Sequence, residues 1–168
     1  ALAAYGYAQL SVDATTPGCH LTWTTLAGIG KVESNHGSAN NATLLANGMV
    51  EPPILGDVLN GQGGRALVTD TDGGRLDTDP TYDRAVGPMQ FLPSTWEQFK
   101  ADGDQDGQES PNDINDAALA AANYLCSGGR DLATSAGWWS AINAYNAPNA
   151  YAQSVFNAAD QYGKLSRP

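Results

Sequence analysis

The sequence predicts a mainly α-helical protein that folds as one domain. Three observations support this prediction. Six segments show helical spacing or helix-end residues, few segments alternate as strands do, and no internal repeat or low-complexity linker divides the chain. A length of 168 residues suits one domain around one buried core. We therefore treat residues 1–168 as a single unit.

Two helices are predicted in the N-terminal part of the chain. Residues 2–12 have helical spacing and are followed by a proline–glycine breaker. Residues 21–35 have apolar side chains at helical spacing, and Gly37 supplies a stop. Gly28 and Gly30 weaken the helix propensity of this second segment, but they permit a neighbouring helix to approach closely. We therefore expect it to be buried.

The remaining helices lie in the C-terminal half. A capping-box pattern, Ser94 with Glu97, follows Pro93 and marks a short helix. An alanine-rich run ending before Gly128 marks the next one. Gly163 stops the last one. The four predicted helices span residues 95–100, 114–125, 138–145 and 149–162.

Residues 40–82 form a long irregular segment that is rich in Gly, Asp and Pro. We expect short extended pieces around residues 49–59 and 66–68. A loop of this length is more often functional than empty, so we expect a substrate-binding wall. The acidic residues 70–77 have poor spacing for a metal site and are interpreted as a solvated turn.

The formal net charge of −10 excludes two classes of partner. Nucleic acid phosphates and anionic membrane surfaces would both be repelled. No apolar run approaches the ~18 residues that a membrane span needs. The first residues lack a signal-peptide pattern, which also fits a mature or trimmed secreted protein. Any substrate is therefore expected to be held by hydrogen bonds and stacking.

The chain has two cysteines, Cys19 and Cys126. Their even number and the lack of CxxC spacing disfavour a metal cluster. They are either separate buried thiols or a disulfide. Each lies at a predicted helix boundary, where a long-range cross-link is useful, so we favour the disulfide. A disulfide indicates an oxidising setting outside the cytoplasm.

Glu33 is the candidate catalytic acid. It is the only acid between Leu21 and Asn40, and it ends an apolar helical run where a carboxyl becomes partly desolvated. Desolvation raises the pKa of a carboxyl, and one that stays protonated near neutral pH can act as a general acid. Glycoside cleavage usually needs two carboxyls, but one suffices if the nucleophile belongs to the substrate.

Two stretches together resemble the B-type (SLT-2) lytic murein transglycosylases, which have a lysozyme-like fold. They are Val32-Glu33-Ser34-Asn35-His36-Gly37 and Ala85-Val86-Gly87-Pro88-Met89-Gln90-Phe91-Leu92-Pro93-Ser94-Thr95-Trp96. The resemblance implies cleavage of the β-1,4 bond between N-acetylmuramic acid and N-acetylglucosamine. Glu33 would protonate the bridging oxygen and then deprotonate the muramyl 6-hydroxyl, which closes a 1,6-anhydro ring.

The same resemblance implies substrate-binding roles for five further residues. Gln90 matches the glutamine of the family's Gly-x-x-Gln-Phe segment, and Thr81 stands where the family often has serine. Tyr124 would line the cleft near the acid. Tyr145 and Asn146 match the family's Tyr-Asn element, which would contact an N-acetyl group or the transition state. The alternatives are that Tyr124 and Tyr145 are core aromatics and that Asn146 is a helix C-cap.

Two other functions remain open from the sequence. A hydrolytic muramidase on the same fold would use a water held by Thr81 or Asp83 in place of the internal hydroxyl. A noncatalytic wall-binding module would keep the fold without using the acid. The presence of Glu33 together with Gln90 and Asn146 favours an enzyme.

A calcium-binding loop is predicted between the third and fourth helices. Asp102, Asp104 and Asp106 occupy the first, third and fifth positions of an EF-hand-like loop, and Gly107 occupies the sixth. Gln108 would supply its backbone carbonyl. The standard closing position holds Asp113, whereas the resemblance implies a longer loop closed by Asp116. We favour Asp116 and keep Asp113 as the alternative ligand or as a helix N-cap.

Further expectations concern partners and location. Peptidoglycan glycan strands are the expected partner of a protein that is expected to be monomeric. A structural Ca²⁺ is the expected cofactor. We expect a bacterial protein that acts outside the cytoplasm, either secreted or associated with the cell wall.

Overall fold

The structure, a computed structural model, describes residues 1–167. Within them the chain is compact and mainly helical, as predicted, and consistent with a lysozyme-like domain. The six helices are α1 (Leu2–Thr15), α2 (Trp23–Ser34), α3 (Pro93–Phe99), α4 (Ile114–Cys126), α5 (Ser135–Tyr145) and α6 (Asn149–Leu165). Each predicted helix is present, with ends that differ by a few residues.

The end of α2 agrees with the prediction to within one residue, since the helix ends at Ser34 and Asn35 has a left-handed conformation (φ 50°). A difference at α3 corrects the sequence analysis. Helix α3 begins at Pro93, whose fixed φ suits the first helical turn, and it has no side-chain cap. The predicted capping box is therefore wrong, and Glu97 instead forms ion pairs with Arg75 and Lys100.

Helix α4 runs through the core, and its buried alanines let α1 pack closely against it. Helix α2 packs extensively on α6. Gly28 allows this contact, because a Cβ atom there would lie 2.7 Å from the backbone oxygen of Val155. The expectation of a buried α2 with a glycine-mediated close approach is confirmed.

The predicted disulfide is present between Cys19 and Cys126. Their Cα atoms are 5.3 Å apart, and both side chains are buried. The bond joins the segment before α2 to the end of α4 across 107 residues of sequence. It therefore fixes the segment before α2 to the C-terminal end of α4.

The long segment between α2 and α3 contains short extended pieces. Strands β1 (Thr43–Leu44) and β2 (Val50–Glu51) pair in antiparallel fashion. The next part, residues 54–86, is called here the extended ribbon. Isolated β-bridges hold this segment together. They pair Leu55 with Val86, Asn60 with Leu67, and Thr69 with Tyr82.

Carboxylates organise the acidic turn inside this ribbon. Asp70 accepts hydrogen bonds from three backbone N–H groups, and Asp72 accepts two more. Asp77 and Asp83 are fully buried. The interpretation of residues 70–77 as a solvated turn is therefore wrong for Asp77, because carboxylates that accept backbone N–H bonds can be buried.

Candidate active site

Glu33 lies in the last turn of α2 and is partly buried. Its Oε1 accepts a hydrogen bond of 2.6 Å from the hydroxyl of Tyr151, near the start of α6. Burial raises the pKa of Glu33 to about 7, while the bond from Tyr151 acts in the opposite direction. A large fraction of this carboxyl is therefore protonated at neutral pH, as a general acid requires.

Ser34 joins the two sequence stretches that carry the resemblance. Its buried Oγ donates to the backbone oxygen of Pro88 at 2.7 Å and accepts from the N–H of Gly37 at 2.7 Å. Pro88 lies in the tight turn that presents Gln90. The end of α2 and the Gln90 turn are thus held together directly beside Glu33.

Glu33 opens into a cavity of about 510 Å³. Its walls come from α2, from the extended ribbon and from the segment between α5 and α6. Among the described residues that line it, Glu33 is the single carboxylate, and the others are apolar or neutral. They are Leu59, Ala66, Val68, Ala85, Gln90, Leu92, Tyr145, Asn146, Ala147 and Pro148.

A second cavity of about 170 Å³ adjoins the first. The two share Gln90, Leu92 and Tyr145, and the second also reaches Thr95 and Tyr124. Together the two cavities are called here the cleft. Of the predicted site residues, Glu33, Gln90, Tyr145 and Asn146 line the first cavity, and Gln90, Tyr124 and Tyr145 line the second.

Gln90 is held in a defined orientation. Its backbone is left-handed (φ 51°), which is uncommon for a residue other than glycine and is typical of functional sites. Its Nε2 donates to the backbone oxygens of Gly87 at 2.9 Å and Ile54 at 3.3 Å. Because these carbonyls occupy the amide nitrogen, the Oε1 atom is the group available to accept a substrate hydrogen bond.

The two tyrosines are fixed by backbone carbonyls. Tyr145 donates to the oxygen of Met89 at 2.7 Å, and Tyr124 donates to the oxygen of Ala144 at 2.7 Å. Burial, followed by the charge of Glu33, raises the pKa of Tyr145 well above its usual range. Both rings therefore form rigid parts of the cleft wall.

Asn146 and Thr81 lie in different surroundings. Asn146 is exposed, occupies the C-cap position of α5 and also lines the cavity with Glu33. The alternative reading as a helix C-cap is confirmed, and the predicted contact with substrate stays a prediction. Thr81 is exposed in the extended ribbon, where its backbone oxygen accepts from Asp70, and it lies outside the lining of either cavity. Its predicted role near Glu33 stays a prediction.

Tyr151 and Ser34 were not predicted from the sequence. The available signal for Tyr151 was its place on α6, one helical turn before buried Val155 and therefore on the face packed against α2. Ser34 gave no such signal, because a small residue after an acid at a helix end is commonplace. Its partner, Pro88, is 54 residues away in the sequence.

The predicted calcium loop has three converging carboxylates. Oxygen atoms of Asp102, Asp104 and Asp106 lie within 4.8 Å of one another. Gly107 has φ 86°, a conformation that suits glycine and turns the loop back so that its N–H donates to Asp102. Hard oxygen ligands at this spacing suit Ca²⁺. These residues therefore fit the expected ion.

The two candidates for closing this loop differ. Asp113 is the N-cap of α4, where its Oδ1 accepts from the N–H of Asn115 at 2.7 Å. Asp116 is buried, and its two oxygens accept from Gly103 at 2.7 Å and Ser110 at 2.8 Å. Asp116 thus ties both ends of the loop to α4, whereas Asp113 has a capping role.

One comparison with known proteins gives a family match. Residues 67–138 match the family described as "Transglycosylase SLT domain". No curated protein and no solved structure gives a significant match. The matched segment includes Thr81, Gln90, Tyr124 and the predicted calcium loop, whereas Glu33 and Tyr145 lie outside it. This segment of the chain is therefore similar to the transglycosylase SLT domain.

Proposed function

We propose that the chain is a peptidoglycan lytic transglycosylase of the B-type group, with Glu33 as its single general acid and base. The observation that carries this proposal is a partly buried carboxyl with a pKa near 7 in a cleft whose other described lining residues are uncharged. A neutral, partly apolar cleft suits a sugar chain held by hydrogen bonds and ring contacts.

The reaction proceeds in two proton transfers. Protonated Glu33 gives its proton to the bridging oxygen, and the C1–O bond of the muramyl residue breaks as positive charge develops at C1. Ionised Glu33 then takes the proton of the C6 hydroxyl, and O6 forms a bond to C1. The products are an N-acetylglucosamine end and a 1,6-anhydromuramyl end, with no water consumed.

The surrounding residues support these steps. Tyr151 donates to Glu33 and so stabilises the ionised form between the two transfers. The Oε1 of Gln90 accepts from the substrate, and exposed Asn146 contacts an N-acetyl group at the other side of the cavity. The carbonyl of Gly87 fixes the Gln90 side chain, and the end of α5 fixes the position of Asn146. The sugar is therefore kept in place while the 1,6-anhydro ring closes.

The geometry favours this reaction over hydrolysis. A muramidase using Asp83 would need that carboxylate to reach a water in the cleft. Asp83 is fully buried, and its two oxygens accept from the N–H (2.9 Å) and Oγ1 (2.7 Å) of Thr71. A noncatalytic binding module would gain nothing from an acid that is desolvated beside its ligand.

A structural Ca²⁺ is part of the proposal. Asp102, Asp104, Asp106 and the backbone oxygen of Gln108 would hold it, with Asp116 on the side of α4. The ion would neutralise the three converging carboxylates and stiffen the connection between α3 and α4. Its chemistry would be structural, because the loop contributes no residue to the lining of the Glu33 cavity.

The disulfide and the peptidoglycan-acting family support action outside the cytoplasm. Among residues 1–167, no helix has the length and apolar character needed to cross a bilayer. We propose that the protein is secreted or associated with the cell wall and acts as a monomer on glycan strands.

Mass spectrometry of the soluble products from purified peptidoglycan tests the proposal. The wild type should release anhydro-muropeptides, and Glu33→Gln should release none. Products one water heavier would show a muramidase. If the protein binds the wall but releases no product in the presence of calcium, the noncatalytic wall-binding module would be the supported function.

A further inference from the structure

His36 lies three residues after Glu33, between two tyrosines from different helices. Its Nδ1 is 3.1 Å from the hydroxyl of Tyr5 on α1, and its Nε2 is 2.7 Å from the hydroxyl of Tyr162 on α6. Asn35 and His36 both have left-handed backbones (φ 50° and 61°), which turn the chain back at the end of α2. The ring therefore connects three helices beside the acid.

The hydrogen-bonding needs of the partners identify the proton position. Tyr5 is fully buried, and its hydroxyl makes one hydrogen bond within residues 1–167, that to His36. A buried hydroxyl hydrogen needs an acceptor, so Tyr5 donates to an unprotonated Nδ1. The proton of the neutral ring is then on Nε2, which donates to the partly exposed Tyr162.

We infer that His36 is a positioning residue for Glu33, and that only its neutral form holds the end of α2 against α1 and α6. The inference rests on the proposed function, since Glu33 is taken there as the acid. Helix α6 carries both Tyr151, the partner of Glu33, and Tyr162, the partner of His36. The bond from His36 to Tyr162 therefore helps to fix the two helices between which Glu33 and Tyr151 meet.

Protonation would disrupt this arrangement. A second N–H, on Nδ1, would point at the hydroxyl of Tyr5, whose own hydrogen would lose its acceptor in a buried site. The ring contacts Tyr5 from α1 and Tyr162 from α6, and Lys31 on α2 is a charged group that acts on it. None of these is an anion. Burial lowers the pKa of His36 from 6.5, and the charge of Lys31 acts in the same direction.

The inference explains the acid limb of the pH–activity profile, the part in which activity falls as the pH is lowered. In a glycosidase with two carboxylates, activity falls in acid because the second carboxylate becomes protonated. The cavity of Glu33 has no second carboxylate among its described residues. Here the alkaline limb follows ionisation of Glu33, and the acid limb follows protonation of His36. Activity should fall up to about tenfold for each pH unit below the pKa of His36.

Nitrogen-15 NMR of the imidazoles tests the first part without any need for activity. The chain has only two histidines, His20 and His36, so His36→Gln assigns both sets of signals. His36 should show a protonated Nε2, an unprotonated Nδ1 and a pKa below 6.5. A proton on Nδ1, or a pKa at or above 6.5, would overturn the inference.

The pH profile of anhydro-muropeptide release tests the second part. His36→Gln should lower activity at neutral pH but remove most of the acid limb, since glutamine does not titrate. The matched control is His20→Gln, because exposed His20 pairs with Asp131 and does not line the cleft. It should keep the wild-type profile. An unchanged acid limb in His36→Gln would overturn the inference.

Tyr5→Phe gives a second test if His36→Gln does not fold. It removes the hydroxyl that stabilises the neutral ring, so the titration of His36 and the acid limb should both move to higher pH. The inference would be overturned if neither the titration of His36 nor the acid limb moved. A wild type that releases no product at any pH would instead defeat the proposed function, and the NMR titration would still decide the state of His36.

Discussion

The two sides of the cleft hold their carboxyl groups in opposite ways. On the helical side, Glu33 is partly buried between α2 and α6 and accepts one hydrogen bond in the structure, from Tyr151. In the extended ribbon, Asp83 is fully buried but accepts two hydrogen bonds from Thr71. Burial with few donors destabilises the anion and keeps a carboxyl protonated near neutral pH, as a general acid requires, whereas hydrogen-bond donors to a buried carboxyl make it a structural acceptor.

The comparison also separates the sources of stability. The helical side depends on packing of α1, α2, α4 and α6 and on one disulfide. The ribbon and the loop before α4 depend on Asp side chains that accept backbone N–H bonds. The family match covers most of the second region and omits Glu33. The experiments below test this division, in order of decreasing effect.

Removal of the disulfide should have the largest effect on the helical side. Replacing Cys19 and Cys126 together with serine releases a closure of 107 residues, which chain-entropy models value at about 4.7 kcal/mol. Urea unfolding should show this decrease in the free energy of unfolding. The wild type in reductant is the matched control. An unchanged denaturation midpoint in both would show that helix packing alone is sufficient.

Glu33→Gln should stabilise the protein while removing its activity. The pKa of Glu33 is raised in the folded state, from 4.5 to about 7, so the wild type is fully stable below 4.5 and loses stability as pH rises through 7. At higher pH the variant should be more stable by up to about 3 kcal/mol. Thermal unfolding across pH measures the difference, which should vanish in acid.

Asp83→Ala is the matched contrast for Glu33→Gln. It leaves the N–H and hydroxyl of Thr71 without their acceptor, so the free energy of unfolding should fall by about 2–3 kcal/mol. If Asp83→Ala raised stability, or Glu33→Gln lowered it at alkaline pH, the distinction between the two carboxyls would be lost.

Calcium should stabilise the loop side of the molecule. A ligand at a hundred times its dissociation constant adds about 2.7 kcal/mol to the free energy of unfolding. Addition of Ca²⁺ to the wild type should raise the melting temperature, and Asp104→Asn should abolish that rise. Asp13→Asn, an acid on the exposed face of α1, should leave it intact. Equal rises in all three proteins would indicate a nonspecific charge effect.

Tyr151→Phe should have the smallest effect. It removes one hydrogen bond to an ionised carboxyl, which is worth about 1.5–3 kcal/mol at most. Because that bond lowers the pKa of Glu33, its loss should move the alkaline limb of activity to higher pH. Turnover should fall about tenfold, since the anion that takes the second proton is less stable. An unmoved alkaline limb would show that Tyr151 does not interact with Glu33 during the reaction.

The fold was largely predictable because helix signals are local. Periodicity, the proline before α3 and the alanine run of α4 lie within a few residues of each other, so all six helices were found. The end of α2 was placed to within one residue, but the left-handed turn at Asn35 and His36 was not predicted. The predicted capping box did not form, and Glu97 instead makes an ion pair with Arg75, which is distant in the sequence.

The sequence by itself determined the helices and the acidic loop, and it indicated the candidate acid and the cysteine pair, because each depends on residue type and short spacing. The tertiary structure alone decided which groups meet. It decided that Tyr151 donates a hydrogen bond to Glu33 and that Ser34 donates one to the Gln90 turn, and it placed Thr81 outside the cavity lining. Those contacts join residues tens of positions apart, and the pKa of Glu33 depends on them because burial and hydrogen bonding act only in the folded chain.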